Sequence, residues 1–442
     1  MIFSSAIFLI FWSLTLFVSK KFNLNSPIFI GIVGIIFYCF QGLINSLVFF
    51  LIFLFCISYL KIRKFFFLFL IILIIPLFLF KYSKIFQFLN IDIPIYLLDE
   101  VQLYYQTIPP GLSFLTFSAI ALIIAIKKNS ESKIDKSNIF AYLYFFPHLI
   151  AGPIVRPNQL IPQINSFQKI ILENIYFGFF LFSVGITLKV LIADNISNYI
   201  DPILGNIKNQ NFESIIISIL LFSQQIFYDF SGYTLMAIGV AKSLSINLPE
   251  NFNSPYTATS ISDFWKKWHI TLSSWIRDYI YIPLGGSRVS KTKHFINILL
   301  AMIISGIWHG YGFTFLIWGL LHGIIIILEK IIKFKNINYF LKVGYTYILV
   351  TLLWSLFRIN DLNDWNIIIF EKVNFDFSLN FLIILIFFYL INFLQKYLVL
   401  ENLKCFFLKT DKSVTLTISA ILTIFCIILS SGSSKKFIYF NF

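Results

Sequence analysis

Two histidines stand almost alone in apolar surroundings, and their type and setting suit proton chemistry. His309 closes the run Phe295–Ile307 within Gly306-Ile307-Trp308-His309-Gly310. His322 repeats the setting in Trp318-Gly319-Leu320-Leu321-His322-Gly323. Desolvation disfavours imidazolium, so such a ring is available as a neutral base at pH 7. The bland alternative is a hydrogen bond between apolar helices, worth ~0.6 kcal/mol. A third histidine lies in the run Asp263-Phe264-Trp265-Lys266-Lys267-Trp268-His269 that continues to Tyr279. At about 100° per residue, Trp265, Trp268, Leu272, Trp275, Ile276 and Tyr279 share one side of a helix. Lys266, Lys267, Ser274, Arg277 and Asp278 share the other. His269 falls at the edge of the apolar side, roughly 40° from Trp265. The stretch reads as one amphipathic helix in or near a membrane interface, capped by Ser262. An aromatic belt with a satisfied histidine fits the same pattern.

Other polar groups are weaker candidates. Pro283 ends that helix, and Gly285-Gly286-Ser287-Arg288 can form a tight turn able to hold a phosphate through backbone N–H groups and a guanidinium. His148 and Arg156 lie in Phe145–Pro157, where Pro147, Gly152, Pro153 and Pro157 forbid one regular helix. This segment reads as re-entrant and lining a cavity. Tyr439 carries the sole hydroxyl of the closing Phe437-Ile438-Tyr439-Phe440-Asn441-Phe442, a tail too apolar to stay in water unless it docks or anchors at an interface. Cys39, Cys56, Cys405 and Cys426 have neither CxxC spacing nor a metal-ligand pattern and read as small hydrophobes.

The elements that must position these groups are membrane helices. Of 442 residues, 58% are hydrophobic and 12% charged, about half the charge of a soluble domain. That excludes a soluble enzyme, a disordered regulator and a nucleic-acid-binding domain. The excess of 34 Lys+Arg over 20 Asp+Glu, 34 − 20 = +14, reads as loop charge orienting the chain, with an uncleaved first span ahead of Lys20 and Lys21. Apolar runs recur to Leu429 and predict an all-α polytopic protein of roughly 11–12 transmembrane helices. The basic clusters flanking them cannot all lie on one side, so some segments re-enter. Within this pattern Tyr228–Arg288 is a polar island, holding Asp229, Glu250 and Asp263 among others, and such charge at membrane depth marks a surface or a site.

Several motifs resemble the membrane-bound O-acyltransferase family, in its bacterial branch of alginate and peptidoglycan O-acetylation and D-alanine transfer to teichoic acids. They are residues 145–156, Asp229-Phe230-Ser231-Gly232-Tyr233, 263–273, 277–286 and Gly306–Gly310. The resemblance implies a single domain of tilted helices around a central tunnel. Residues 1–140 supply N-terminal helices, 141–330 the motif-bearing core, 331–429 C-terminal helices and 430–442 the aromatic tail. It implies that His309 and His269 are the signature histidines and that Tyr439 carries the acyl group. The role of His322 stays open.

The resulting expectation is a bacterial inner-membrane O-acetyltransferase. Acetyl-CoA is the donor, its phosphates held by Arg288, Lys291 or Lys293. His309 is the general base, and His269 orients the thioester or stabilises its oxyanion. Tyr439 is the relay, and an extracytoplasmic SGNH-type serine enzyme is the partner that passes acetyl to a polysaccharide. Peptidoglycan is preferred as acceptor over an alginate-like exopolysaccharide, and D-alanine as cargo is disfavoured. The rival from another class is a transporter or flippase without chemistry.

Overall fold

Apolar segments in lipid must satisfy their backbone internally, which favours helix. The computed structural model is helical accordingly, with no strand among the described residues. It describes residues 3–22, 26–82, 109–128, 134–166, 169–310, 312–332, 337–359, 361–372, 378–433 and 437–438. Among these, seven helices are long and apolar enough to cross a membrane: Leu43–Ile62, Leu172–Leu204, Phe212–Ser243, Phe313–Ile332, Tyr339–Arg358, Phe381–Leu398 and Lys412–Ser430. Pro27–Cys39, Phe66–Lys81 and Leu112–Lys127 are apolar but shorter. At 1.5 Å per residue, a 16-residue helix reaches about 24 Å, short of the ~30 Å hydrocarbon core. The larger count expected from sequence takes such short runs as full crossings. Leu172–Leu204 runs through the π-helical turn Leu188–Ala193, which accommodates an extra residue without ending the helix.

Residues 1–183, 233–249 and 427–441 form one unit, and 184–232 and 250–426 form the other. The motif-bearing core contributes to both. In the first unit, Phe8 and Trp12 of the helix Ala6–Phe22 pack on Phe182, with ring centroids 5.9 and 4.9 Å away. The Trp12 indole N–H donates to Ser243 Oγ at 2.9 Å. A Cβ on Gly178 would lie 2.4 Å from the Gly239 carbonyl oxygen, and the reverse holds at the same distance. Only glycine lets these two helices approach so closely. The proline-rich segment is broken as its sequence requires, into Phe146–Leu149 and Pro157–Asn165. His148 is buried there, its Nε2 3.2 Å from the Tyr142 carbonyl oxygen. A carbonyl only accepts, so His148 donates, which is the satisfied reading of this residue. The small apolar cavity of this unit is lined by Phe145 and Phe146 rather than by His148.

In the second unit the loop after Glu250 is tied to the helices around it. The Leu400 N–H donates to Glu250 Oε1 at 2.9 Å, and the Ile261 N–H donates to the Glu329 carboxylate at 2.9 and 3.0 Å. Tyr256 donates its hydroxyl to the Ser223 carbonyl at 2.6 Å, and its N–H to Gln395 Oε1 at 3.2 Å. Gln224 bridges Tyr347 and Asn392 at 3.1 and 3.0 Å. The Lys189 ammonium, on the π-helical turn, sits 2.6 Å from both Asp194 and Asp229, an ion triad in which Lys189 and Asp229 are buried and Asp194 is half-buried.

Candidate active site

The helix Lys291–His309 starts where Ser290 accepts a hydrogen bond from the Lys293 N–H and ends at the extended Gly310. Its partner is Phe313–Ile332. A Cβ on Gly319 would lie 2.4 Å from the Met302 carbonyl oxygen, so the two backbones touch there. Close contact at the C-terminal end of one helix and the N-terminal half of the next brings His309 against Trp318. Their ring centroids are 5.3 Å apart and nearly perpendicular. Trp308 at 4.8 Å and Phe357 at 5.1 Å complete the walls around His309. The imidazole is 2% exposed.

His322 lies one turn beyond Trp318, 4.6 Å from its ring, and is fully buried. The Trp265 indole N–H donates to His322 Nδ1 at 3.3 Å. The resulting layer of Trp265, Trp318, Trp354 and Phe357 is packed edge to face and stacked at 4.9–5.8 Å, geometry favoured by ring quadrupoles.

The third histidine corrects the sequence reading. Residues 263–279 are not one amphipathic helix. Ile261–Lys267 and Ile270–Ile276 are separate helices, followed by a π-helical turn Arg277–Tyr281. The N-cap is Ser260, whose Oγ accepts from the Asp263 N–H at 3.0 Å, rather than Ser262. His269 occupies the break with φ +42° and ψ 53°, a left-handed conformation that costs a non-glycine residue about 1–3 kcal/mol. Two backbone bonds from an adjoining strip hold the break open. The Asn253 N–H donates to the Lys267 carbonyl and the Ile270 N–H to the Asn251 carbonyl, both at 3.0 Å. The break turns Trp268 and His269 fully inward, away from any interface. His269 then packs edge-on against Phe230 at 4.7 Å and faces Trp308 at 6.1 Å. Trp308 is therefore the ring shared by His269 and His309. His269 lies outside the candidate spans, and burial pushes its imidazole down to about 3, so it is neutral at physiological pH.

Asn251 is a site residue that sequence reading missed. Its Oδ1 accepts from the Thr271 hydroxyl at 2.6 Å and the Thr271 N–H at 3.3 Å, and lies 3.3 Å from His269 Nδ1. Lys189, the partner of Asp229, was missed as well. A buried loop asparagine and a lysine inside an apolar run were the available signals.

The remaining expected residues lie elsewhere. Arg288, Lys291 and Lys293 are exposed at the far end of the His309 helix. From residue 291 to 309 the axial rise is about 27 Å at 1.5 Å per residue. The Gly285-Gly286 turn is closed on itself. The amides of Gly285, Gly286 and Arg288 donate to the carbonyls of Ile282, Tyr281 and Gly285, and Asn297 Nδ2 donates to those of Leu284 and Gly286 at 3.2 and 3.0 Å. Those three amides thus bond within the chain, rather than forming the phosphate cradle expected from sequence. Tyr439 lies outside the described residues. Its neighbours Phe437 and Ile438 are buried in the first unit, Phe437 at 4.9 Å from the Tyr233 ring. Cys56 and Cys426 are buried as expected, whereas Cys39 and Cys405 are exposed.

Desolvated imidazoles among aromatic walls can move a proton and exclude water from a reactive acyl group. The comparisons with known proteins point the same way. The model of MBOAT, the membrane-bound O-acyltransferase family, matches residues 55–350. A peptidoglycan O-acetyltransferase of Helicobacter pylori is 41% identical over 229 residues, covering 50% of this chain and 44% of that protein. A "Probable alginate O-acetylase" of Pseudomonas aeruginosa is 36% identical over 259 residues, covering 58% and 49%. A teichoic acid D-alanyltransferase of Bacillus subtilis is 28% identical over 262 residues, covering 57% and 64%. The chain thus spans about half the length of the first two relatives.

Proposed function

The chain belongs to the membrane-bound O-acyltransferase family, and from that membership we propose that it is a membrane O-acetyltransferase of the bacterial inner membrane that uses His309 as its general base. The observation that carries this reading is the buried His309 ring, walled by Trp308, Trp318 and Phe357, with the buried His269 also against Trp308. Acetyl-CoA is the donor. Its coenzyme is a polyanion that cannot enter lipid, whereas the acetyl group is small and neutral. Arg288, Lys291 and Lys293 are the cations that hold its phosphates.

In the reaction, neutral His309 takes the proton of the Tyr439 hydroxyl. The phenolate oxygen attacks the thioester carbonyl, the C–S bond breaks, and the thiolate recovers the proton from the imidazolium. The product is acetyl-tyrosine, which hands its acetyl group to the serine of an extracytoplasmic SGNH-type partner. This relay divides one long transfer into two shorter ones. His269 orients the thioester.

Peptidoglycan is the preferred acceptor, supported by the 41% identity to a peptidoglycan O-acetyltransferase. An alginate-like exopolysaccharide is the second reading, supported by the 36% match. The test is O-acetyl content of purified peptidoglycan and of secreted polysaccharide in cells carrying wild type or His309→Ala at equal membrane level. Loss from peptidoglycan alone is expected. Unchanged acetylation of both polymers contradicts the catalytic role, and a transporter without chemistry predicts that no acetyl-tyrosine forms.

A further inference from the structure

Two hydrogen bonds with assignable donors fix the protons of the histidines flanking His309. An indole nitrogen donates and cannot accept. The Trp265 Nε1 contact at 3.3 Å therefore makes His322 Nδ1 a lone-pair acceptor, and the ring is neutral with its proton on Nε2. That Nε2–H is fully buried and meets no hydrogen-bond acceptor among the described residues.

His269 is fixed the other way. A main-chain N–H only donates, so the Thr271 N–H identifies the Asn251 atom it reaches as the amide oxygen. The Thr271 hydroxyl at 2.6 Å shares that oxygen. His269 Nδ1, 3.3 Å from it, must then carry the hydrogen. With the ring neutral, Nε2 holds the lone pair.

We propose that Asn251 and Trp265 are positioning residues that hold His269 and His322 in opposite tautomers, so that one imidazole accepts and the other donates on either side of His309. The rings run His269, Trp308, His309, Trp318, His322, with successive centroids 6.1, 4.8, 5.3 and 4.6 Å apart. This rests on the acyl-transfer reading and deepens it. Negative charge develops on the carbonyl oxygen during acyl transfer, and a preorganised donor is what stabilises it. An accepting Nε2 repels that charge. The oxyanion donor is therefore His322, and His269 orients the substrate by accepting a hydrogen bond.

The test is 15N NMR of the full-length protein, labelled at histidine and held in nanodiscs. The chain has five histidines, so His269→Gln and His322→Gln each assign a ring by the loss of its signals. The wild type is expected to show a pyridine-type Nε2 at His269 and a pyridine-type Nδ1 at His322. Asn251→Leu should end the single tautomer at His269, and Trp265→Phe that at His322. Asn251→Asp, which keeps an acceptor oxygen, should retain acetyl transfer within a few-fold, while Asn251→Leu loses about tenfold or more. The same tautomer at both wild-type rings overturns the proposal even if the variants do not fold. So does a tautomer unmoved by Asn251→Leu or Trp265→Phe. The spectra need no turnover, so failed acetyl transfer with correct tautomers counts against the proposed function alone.

Discussion

Gly306 and Gly319 meet backbone to backbone: a Cβ on Gly306 would lie 3.3 Å from the Gly319 Cα and 2.3 Å from the Phe315 carbonyl oxygen. Neither neighbour is the end of a flexible side chain, so neither yields easily. This contact sets the distance between the His309 helix and the Trp318–His322 helix. Gly306→Ala should lower stability by about 1–3 kcal/mol through overpacking and also reduce acetyl transfer. The apparent Tm in detergent and the transfer rate check this, with Ile307→Ala on the exposed side of the same turn as control. A Gly306→Ala protein as stable and active as wild type would show that the contact is not needed.

Much of this site was legible in the sequence because charge is rare in it. His309 stands out at the end of one apolar run and His322 in the middle of another, and the structure puts both around Trp318. The helix break at His269 was not legible. The 3.6-residue pattern from Trp265 to Tyr279 passes smoothly across it, and what breaks it is hydrogen bonding from Asn251 and Asn253, residues outside the pattern. The π-helical turns at Leu188–Ala193 and Arg277–Tyr281 leave no local signature either. Asp229 was visible as an ionisable residue in a motif, but its partner Lys189 is 40 residues upstream, a pairing that only tertiary structure reveals.

The Lys189 triad yields a stability prediction. Its ammonium is held between two carboxylates, and removing the cation leaves both acids without it. Lys189→Met should destabilise the protein by about 3–5 kcal/mol, and Lys189→Arg by much less. Apparent Tm in detergent at constant pH separates them. Equal values for all three proteins contradict the ion-triad account.

Acid should weaken the fold through its buried imidazoles. His269 and His148, both outside the candidate spans, are pushed down by burial to about 3 and about 4, below the ~6.5 of an unfolded chain. The unfolded state therefore binds more protons between those values. Stability is full above about pH 6.5 and falls as pH drops toward 4 and 3. Apparent Tm should be lower at about pH 5 than at about pH 7.5, with a shallower slope in His269→Gln. A slope unchanged by that substitution contradicts the assigned burial.

Tyr439→Phe changes one hydroxyl and keeps the aromatic tail. Membrane level and apparent Tm should match wild type, while polymer O-acetylation is lost. Retained acetylation would remove the tyrosine relay and leave direct transfer from acetyl-CoA to the partner, with His309 as base.

The most direct measurement of the central claim is the rate at which label from acetyl-CoA reaches the reconstituted full-length protein, followed by mass spectrometry of its C-terminal peptide. Wild type should acquire one acetyl group on Tyr439, and His309→Ala should do so roughly 10²–10⁴-fold more slowly. Labelling of His309→Ala at the wild-type rate would contradict the account.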